Sequence, residues 1–124
     1  MQKKYYLTTP LYYVNAKPHI GHSYTTVAAD ALARLKRLLG YEVLFLTGTD
    51  EHGQKIERAS KEAGKTPLAF ADDLSAEFKK LWEILGISYD DFIRTTEKRH
   101  TDAVKHVWTE LEKSGQIVRQ QYEG

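Results

Sequence analysis

Apolar residues change their spacing several times along this 124-residue chain, and each change predicts an element. Lys4 to Thr9 carries Tyr5, Tyr6 and Leu7 in a nearly unbroken run, the pattern of a strand covered on both faces. From Tyr24 onward the period lengthens. Tyr24, Val27, Ala28, Ala31, Leu32, Leu35, Leu38 and Leu39 recur at steps of three and four, while Asp30, Arg34, Lys36 and Arg37 mostly take the other side. This predicts an amphipathic helix that buries the apolar stripe and stops at about Leu39, where Gly40 can terminate it.

Val43, Leu44, Phe45 and Leu46 then form a block with the length and composition of a buried parallel strand. The glycines of Gly48-Thr49-Asp50-Glu51-His52-Gly53 predict a loop after it. A strand, a crossover helix and a second strand make a βαβ unit. In such sheets ligands collect at the carboxyl ends of the strands, so the segments Leu11–His22 and Gly48–Gly53 are expected to face one crevice. A shorter helix is expected from Gln54 to Ala63. Thr66-Pro67 can cap and open another, with Leu68, Ala71, Leu74, Phe78, Leu81, Trp82 and Leu85 buried. Phe92-Ile93-Arg94 reads as a short strand. Thr95 or Thr96 can cap a last helix carrying Ala103, Val104, Val107, Trp108 and Leu111, and Gln116 to Tyr122 is left as a final strand. Both tryptophans are expected in the core. The fold class is α/β, a Rossmann-like parallel sheet with flanking helices.

Composition narrows the chemistry. A hydrophobic share of 41% over this length suits one ordinary domain. The formal charge of +1 excludes a broad basic surface, so any RNA contact must be local. The absence of cysteine removes disulfides, thiolate metal sites and cysteine nucleophiles, and it fits a reducing, cytoplasmic setting. No run of about 18 apolar residues suggests a membrane span.

His19 and His22 bracket Ile20-Gly21 at the entrance of the first helix. Such a pair could bind zinc, serve as acid and base, or donate hydrogen bonds to phosphate oxygens. Zinc would need further ligands, for which His52 and Asp50 are available only by coincidence of placement. Phosphate explains more, because Gly21 permits close approach, Pro18 stiffens the entry and the positive helix end favours an anion. Asp50 could receive a substrate ammonium, hold a metal or cap the next helix. Glu51 reads as a solvated turn acid and His52 as a loop histidine bonded to backbone. Tyr5, Tyr6, Tyr12, Tyr13 and Tyr24 concentrate near the first turn, where most should pack. Lys98-Arg99-His100 reads as a solvated helix start.

Three motifs together carry a resemblance. Pro18-His19-Ile20-Gly21-His22 is similar to the H-I-G-H signature of class I aminoacyl-tRNA synthetases. Thr9-Pro10-Leu11-Tyr12-Tyr13-Val14-Asn15 before it and Thr47-Gly48-Thr49-Asp50-Glu51-His52-Gly53 after it resemble the methionyl-tRNA synthetases.

The resemblance implies an enzyme that activates methionine with ATP and Mg2+ and transfers it to tRNA(Met). His19 and His22 would act on the ATP phosphates and Gly21 would support the adenine. Pro10, Leu11, Tyr13 and Asp50 would hold methionine, Asp50 through its ammonium. It also implies that residues 1–124 correspond to the N-terminal part of the catalytic domain. The connective insertion, the second signature loop and the anticodon-binding domain would be absent, and tRNA would be contacted mostly outside this chain. No zinc site and no membrane contact are expected within it. Alone, the chain is expected to be weakly active or inactive. The alternative is a non-catalytic ATP- or methionine-binding module completed by a partner chain, and self-association through exposed apolar faces stays open.

Overall fold

The computed structural model describes residues 2–121. Four strands and four helices follow in the order β1 (Lys4–Thr8), β2 (Tyr12–Tyr13), α1 (Ile20–Leu38), β3 (Glu42–Asp50), α2 (Gln54–Glu62), α3 (Pro67–Ile84), β4 (Asp91–Arg94) and α4 (Lys98–Lys113). β3 is the hub of the sheet and pairs in parallel with each of the others. The protein is therefore an α/β, Rossmann-like parallel sheet with flanking helices.

β3 runs four residues past the apolar block that predicts it, so Gly48, Thr49 and Asp50 lie in the strand and not in a loop. Parallel pairing extends it: Gly48 sits opposite Ile93, and Tyr12 and Tyr13 sit opposite Thr49 and Asp50. Gly48 is required here. A Cβ on it would come within 2.0 Å of the Ile93 carbonyl oxygen. The pairing of Tyr12 and Tyr13 also makes a strand of part of the segment expected to be loop.

The core joins Tyr12 and Val14 to Ile56 of α2, to Ala71, Leu74, Phe78 and Trp82 of α3, and to Phe92 of β4. α3 starts as its sequence predicts, with the Thr66 hydroxyl accepting the Ala69 N–H at 3.2 Å and Pro67 beginning the helix, but Leu68 and Leu85 at the two ends of its expected buried stripe are exposed.

α1 docks by the opposite side from the one expected. Thr26, Asp30 and Ala33 are buried, whereas Ile20, Tyr24, Val27, Leu35 and Leu38 are exposed, Leu38 at 85%. Polar bonds set this orientation. The Asp30 carboxylate accepts the Ser88 N–H at 2.7 Å, the Ser88 hydroxyl at 2.6 Å and Arg34 Nε at 2.6 Å. Burial pushes the Asp30 carboxyl upward, but these donors together outweigh it and leave it below its ordinary value of 3.8. One turn on, Arg37 reaches Ser88 and Asp90.

Further expectations are corrected in the same way. β1 alternates exposed and half-buried residues, so it is not covered on both faces, and Leu44 of β3 is exposed as well. Tyr6, Tyr13 and Tyr24 are exposed, and of the five clustered tyrosines Tyr12 alone is fully packed. α4 has no buried residue; Trp108 is 57% exposed while Trp82 is 0% exposed, so one tryptophan is core and the other is surface. Glu97, not Thr95 or Thr96, precedes α4, because both threonine hydroxyls are engaged with Glu51. Residues 116–121 form no strand, since no sheet edge is paired with them. The expected strand's last residue, Tyr122, lies outside the described residues.

Candidate active site

The chain leaves β2, turns through Asn15 to Pro18 and enters α1 at His19, whose backbone is extended at φ −130° and ψ 174°. His19 is the cap of the helix. Its Nδ1 accepts the Gly21 N–H at 3.1 Å, and in return the His19 N–H donates to His22 Nδ1 at 3.0 Å. The two rings lie 3.8 Å apart between centroids. Both Nδ1 atoms thus accept, which places the proton of each neutral imidazole on Nε2. The pair presents two Nε2–H donors.

Gly21 is needed for this cap, for a reason different from the close approach of a ligand. A Cβ there would stand 2.9 Å from His19 Cε1, so the glycine makes room for the histidine ring itself. The first-turn N–H groups are also less free than a phosphate-binding turn would have them, because Gly21, His22 and Ser23 all donate to His19. Any anion held here meets imidazoles before backbone.

His22 rests on the aromatic core, 4.9 Å from Tyr12 and 5.1 Å from Phe78 between ring centroids, edge-on to both. Burial, and then repulsion from neighbouring His19, hold it below its ordinary value of 6.5. Its neutral form is thereby favoured. Tyr12 is itself anchored by the hydroxyl contact with Thr26 at 2.8 Å.

Leu11, Tyr12, Tyr13, Asn15, Ala16, Lys17, His19 and His22 line one cleft of about 350 Å³. Of the residues singled out from sequence, this brings together Leu11, Tyr13, His19 and His22. Pro10 is exposed and stands outside the cleft lining, as does Gly21. Asp50 is joined to the cleft through main chain: it pairs with Tyr13, and its carbonyl accepts the Val14 N–H at 3.4 Å. Its side chain does not cap α2, whose cap is Gly53. Among the described residues Asp50 makes no salt bridge, and the His52 N–H reaches its Oδ1 only at 3.5 Å. It is a half-buried carboxylate without a cation.

Sequence reasoning missed Lys17, the one cation in the cleft lining, although its position two residues before His19 was a usable signal. It also misplaced Glu51. That residue is a buried acid, not a solvated one: its carboxylate accepts Thr49 Oγ1 at 2.8 Å, Arg94 Nε at 2.7 Å and the Thr96 hydroxyl. No spacing rule links residues 51 and 94; pairing of β3 with β4 does. His52 behaves as expected, with Nε2 3.3 Å from the Thr95 carbonyl. Among the described residues no group of three or more His, Cys, Asp or Glu side chains could hold a metal ion. No described helix is long and apolar enough to cross a membrane.

Residues 5–124 match the family model described as tRNA synthetases class I (M). The chain belongs to this family of class I tRNA synthetases. It is 56% identical over 122 residues to methionine–tRNA ligase 1 of Bacillus cereus, covering 98% of this chain and 18% of that protein. It is 54% identical to the methionine–tRNA ligase of Caldanaerobacter subterraneus, covering 100% of this chain and 19% of that one. Among solved structures, Mycobacterium tuberculosis methionyl-tRNA synthetase in complex with methionyl-adenylate aligns at TM-score 0.90 and 48% identity, over 92% of this chain and 22% of that chain. The leucyl enzyme of Agrobacterium radiobacter K84, in a ternary complex with tRNA and LeuAMS, aligns at TM-score 0.88 and 29% identity, over 96% and 16%. The synthetase chain described here thus spans about a fifth of the length of its curated relatives.

Proposed function

We propose that this segment supplies the N-terminal part of the catalytic domain of a methionine–tRNA ligase. The protein would activate methionine with ATP and pass it to tRNA(Met). What supports this most is the pairing of two opposite preferences across one strand contact: imidazole donors and Lys17 line the cleft beside Tyr13, and cation-free Asp50 is paired with Tyr13. The first suits phosphate and the second an ammonium, the two charged ends that amino-acid activation must bring together.

In the reaction a methionine carboxylate oxygen attacks the α-phosphorus of ATP and pyrophosphate leaves, giving methionyl-adenylate. A tRNA hydroxyl then takes the methionyl group and AMP leaves. His19 and His22 donate from Nε2 to phosphate oxygens as negative charge shifts onto them. Asp50 receives the ammonium, Leu11 and Tyr13 line the methionine side with Pro10 at its entrance, and Gly21 with the first turn of α1 lies beneath the nucleotide. Mg2+ enters with ATP as part of the substrate. The greater identity to the methionyl than to the leucyl structure, 48% against 29%, supports methionine as the amino acid. tRNA is held mostly by parts of the protein beyond this segment, and the cytoplasm suits its cysteine-free composition.

The test is methionine-dependent ATP–pyrophosphate exchange by the full-length protein carrying this segment. Exchange that responds to leucine or valine as well as to methionine would overturn the amino-acid assignment, and unchanged exchange after Asp50→Ala would overturn the role of Asp50. For the segment alone, the exposed stripe of α1 and the unburied α4 favour a second reading: a binding module whose site a further chain must complete. Calorimetry of the 124-residue chain then gives weak ATP binding without exchange.

A further inference from the structure

Asp50 stands between two residues that are both buried and tied down. On one side Thr49 pairs with Arg94 in β4 and its hydroxyl donates to Glu51. On the other, the Glu51 N–H donates to Thr95 Oγ1 at 2.8 Å, and its carboxylate is held by Arg94 and Thr96. The Thr95 N–H returns to the Thr49 carbonyl at 3.2 Å, and His52 Nε2 contacts the Thr95 carbonyl. Arg94 continues the chain of bonds to Asp72 on α3 at 2.6 Å. Residues 49, 51 and 52 are thereby bound to residues 94–96, while the Asp50 carboxylate accepts only the long His52 N–H contact at 3.5 Å and, among the described residues, has no cation.

An acid with 0% side-chain exposure is costly to bury, and it is retained here with two hydroxyl donors and a guanidinium. The guanidinium is correspondingly firm in its charge: the hydrogen bond to Glu51, against burial and with help from Asp72, raises Arg94 further. If the network served only to join β3 to β4, the parallel ladder would already do so. What it adds is a fixed backbone on both sides of Asp50.

We infer that Glu51, with Arg94, Thr95 and Thr96, is a positioning residue that sets the Asp50 carboxylate for the amino-acid ammonium. This rests on the reading of Asp50 given above. The network acts on the amino-acid end of the cleft and leaves the histidine end to its own cap, so it separates the two substrates energetically.

The test uses the full-length protein carrying this segment, with steady-state exchange measured against methionine and against ATP. Thr95→Val keeps the shape and removes the acceptor for the Glu51 N–H, Thr95→Ser restores it, and Glu51→Gln removes the charge. The expected result is a methionine KM raised between about tenfold and a hundredfold in Thr95→Val and Glu51→Gln, the scale of a small misplacement of a binding group. The ATP KM should stay within about twofold, and Thr95→Ser should return the methionine KM to near its original value. Unchanged methionine KM in both variants, or methionine and ATP constants rising together with a lower Tm, would overturn the inference while leaving the functional reading intact. An unaltered protein without methionine-dependent exchange would overturn the functional reading, and this inference with it.

Discussion

His22 accepts the backbone N–H of His19 through Nδ1 at 3.0 Å, and that single bond determines which nitrogen of His22 is free to act. Capping occupies one side of the ring, and the proposed donation to phosphate falls to the other. Asparagine can accept the same N–H from its short side chain but has no group where Nε2–H stands. His22→Asn should therefore keep most of the helix stability, whereas His22→Ala should lose about 1 kcal/mol of it. Both should lower amino-acid activation by about 10²–10³-fold, the usual cost of one donor aimed at a developing charge. Urea unfolding and pyrophosphate exchange on the same preparations check both halves.

The lowered pKa of His22 makes stability depend on pH with a definite sign. Burial and the repulsion of His19 leave the folded imidazole binding fewer protons than the unfolded one between its depressed pKa and 6.5. Stability therefore rises with pH across that window, is fully present above 6.5, and falls as the solution is acidified through it. A melting series from about pH 5 to 7.5 should show this slope, and His22→Asn should flatten it.

Gly48→Ala should disrupt the β3–β4 ladder. The new Cβ would lie 2.0 Å from the Ile93 carbonyl oxygen and 2.9 Å from its carbon, both backbone atoms that cannot swing aside. The loss should reach or exceed the roughly 1–3 kcal/mol typical of overpacking, and amide exchange at residues 91–95 should quicken.

The two tryptophans should answer oppositely to substitution. Trp82→Ala should cost about 3–5 kcal/mol, as for a large buried aromatic. Trp108→Glu and Leu38→Glu should each change the stability of the 124-residue chain by no more than about 0.5 kcal/mol, since both side chains are already largely in water. Sedimentation of the same variants tests whether these faces drive association: loss of concentration dependence in the charged variants is the expected outcome.

The helices and the central strands were legible from spacing because local backbone preferences and solvent partition act along the chain. Thr66-Pro67, Gly40 and Gly86 marked helix ends for the same reason, and the motif around His19 and His22 pointed to a segment that lines a cleft. The docked face of α1 was not legible. Hydrophobic periodicity says which side is apolar, but Ser88, fifty-eight residues from Asp30, decides that the polar side is the one that packs here. The extension of β3 through Gly48 to Asp50 and the burial of Glu51 were hidden likewise, since both depend on partners supplied by β2 and β4.

By itself, then, the amino-acid sequence determined most of the elements, the α/β class and the candidate residues for an anion and a cation, because those follow from short-range chemistry. Only the tertiary structure decided which nitrogen each histidine offers, which acid is buried and which is left without a cation. Those depend on where a hydrogen bond from a distant strand or a neighbouring turn happens to fall, and no pattern along one segment carries that information.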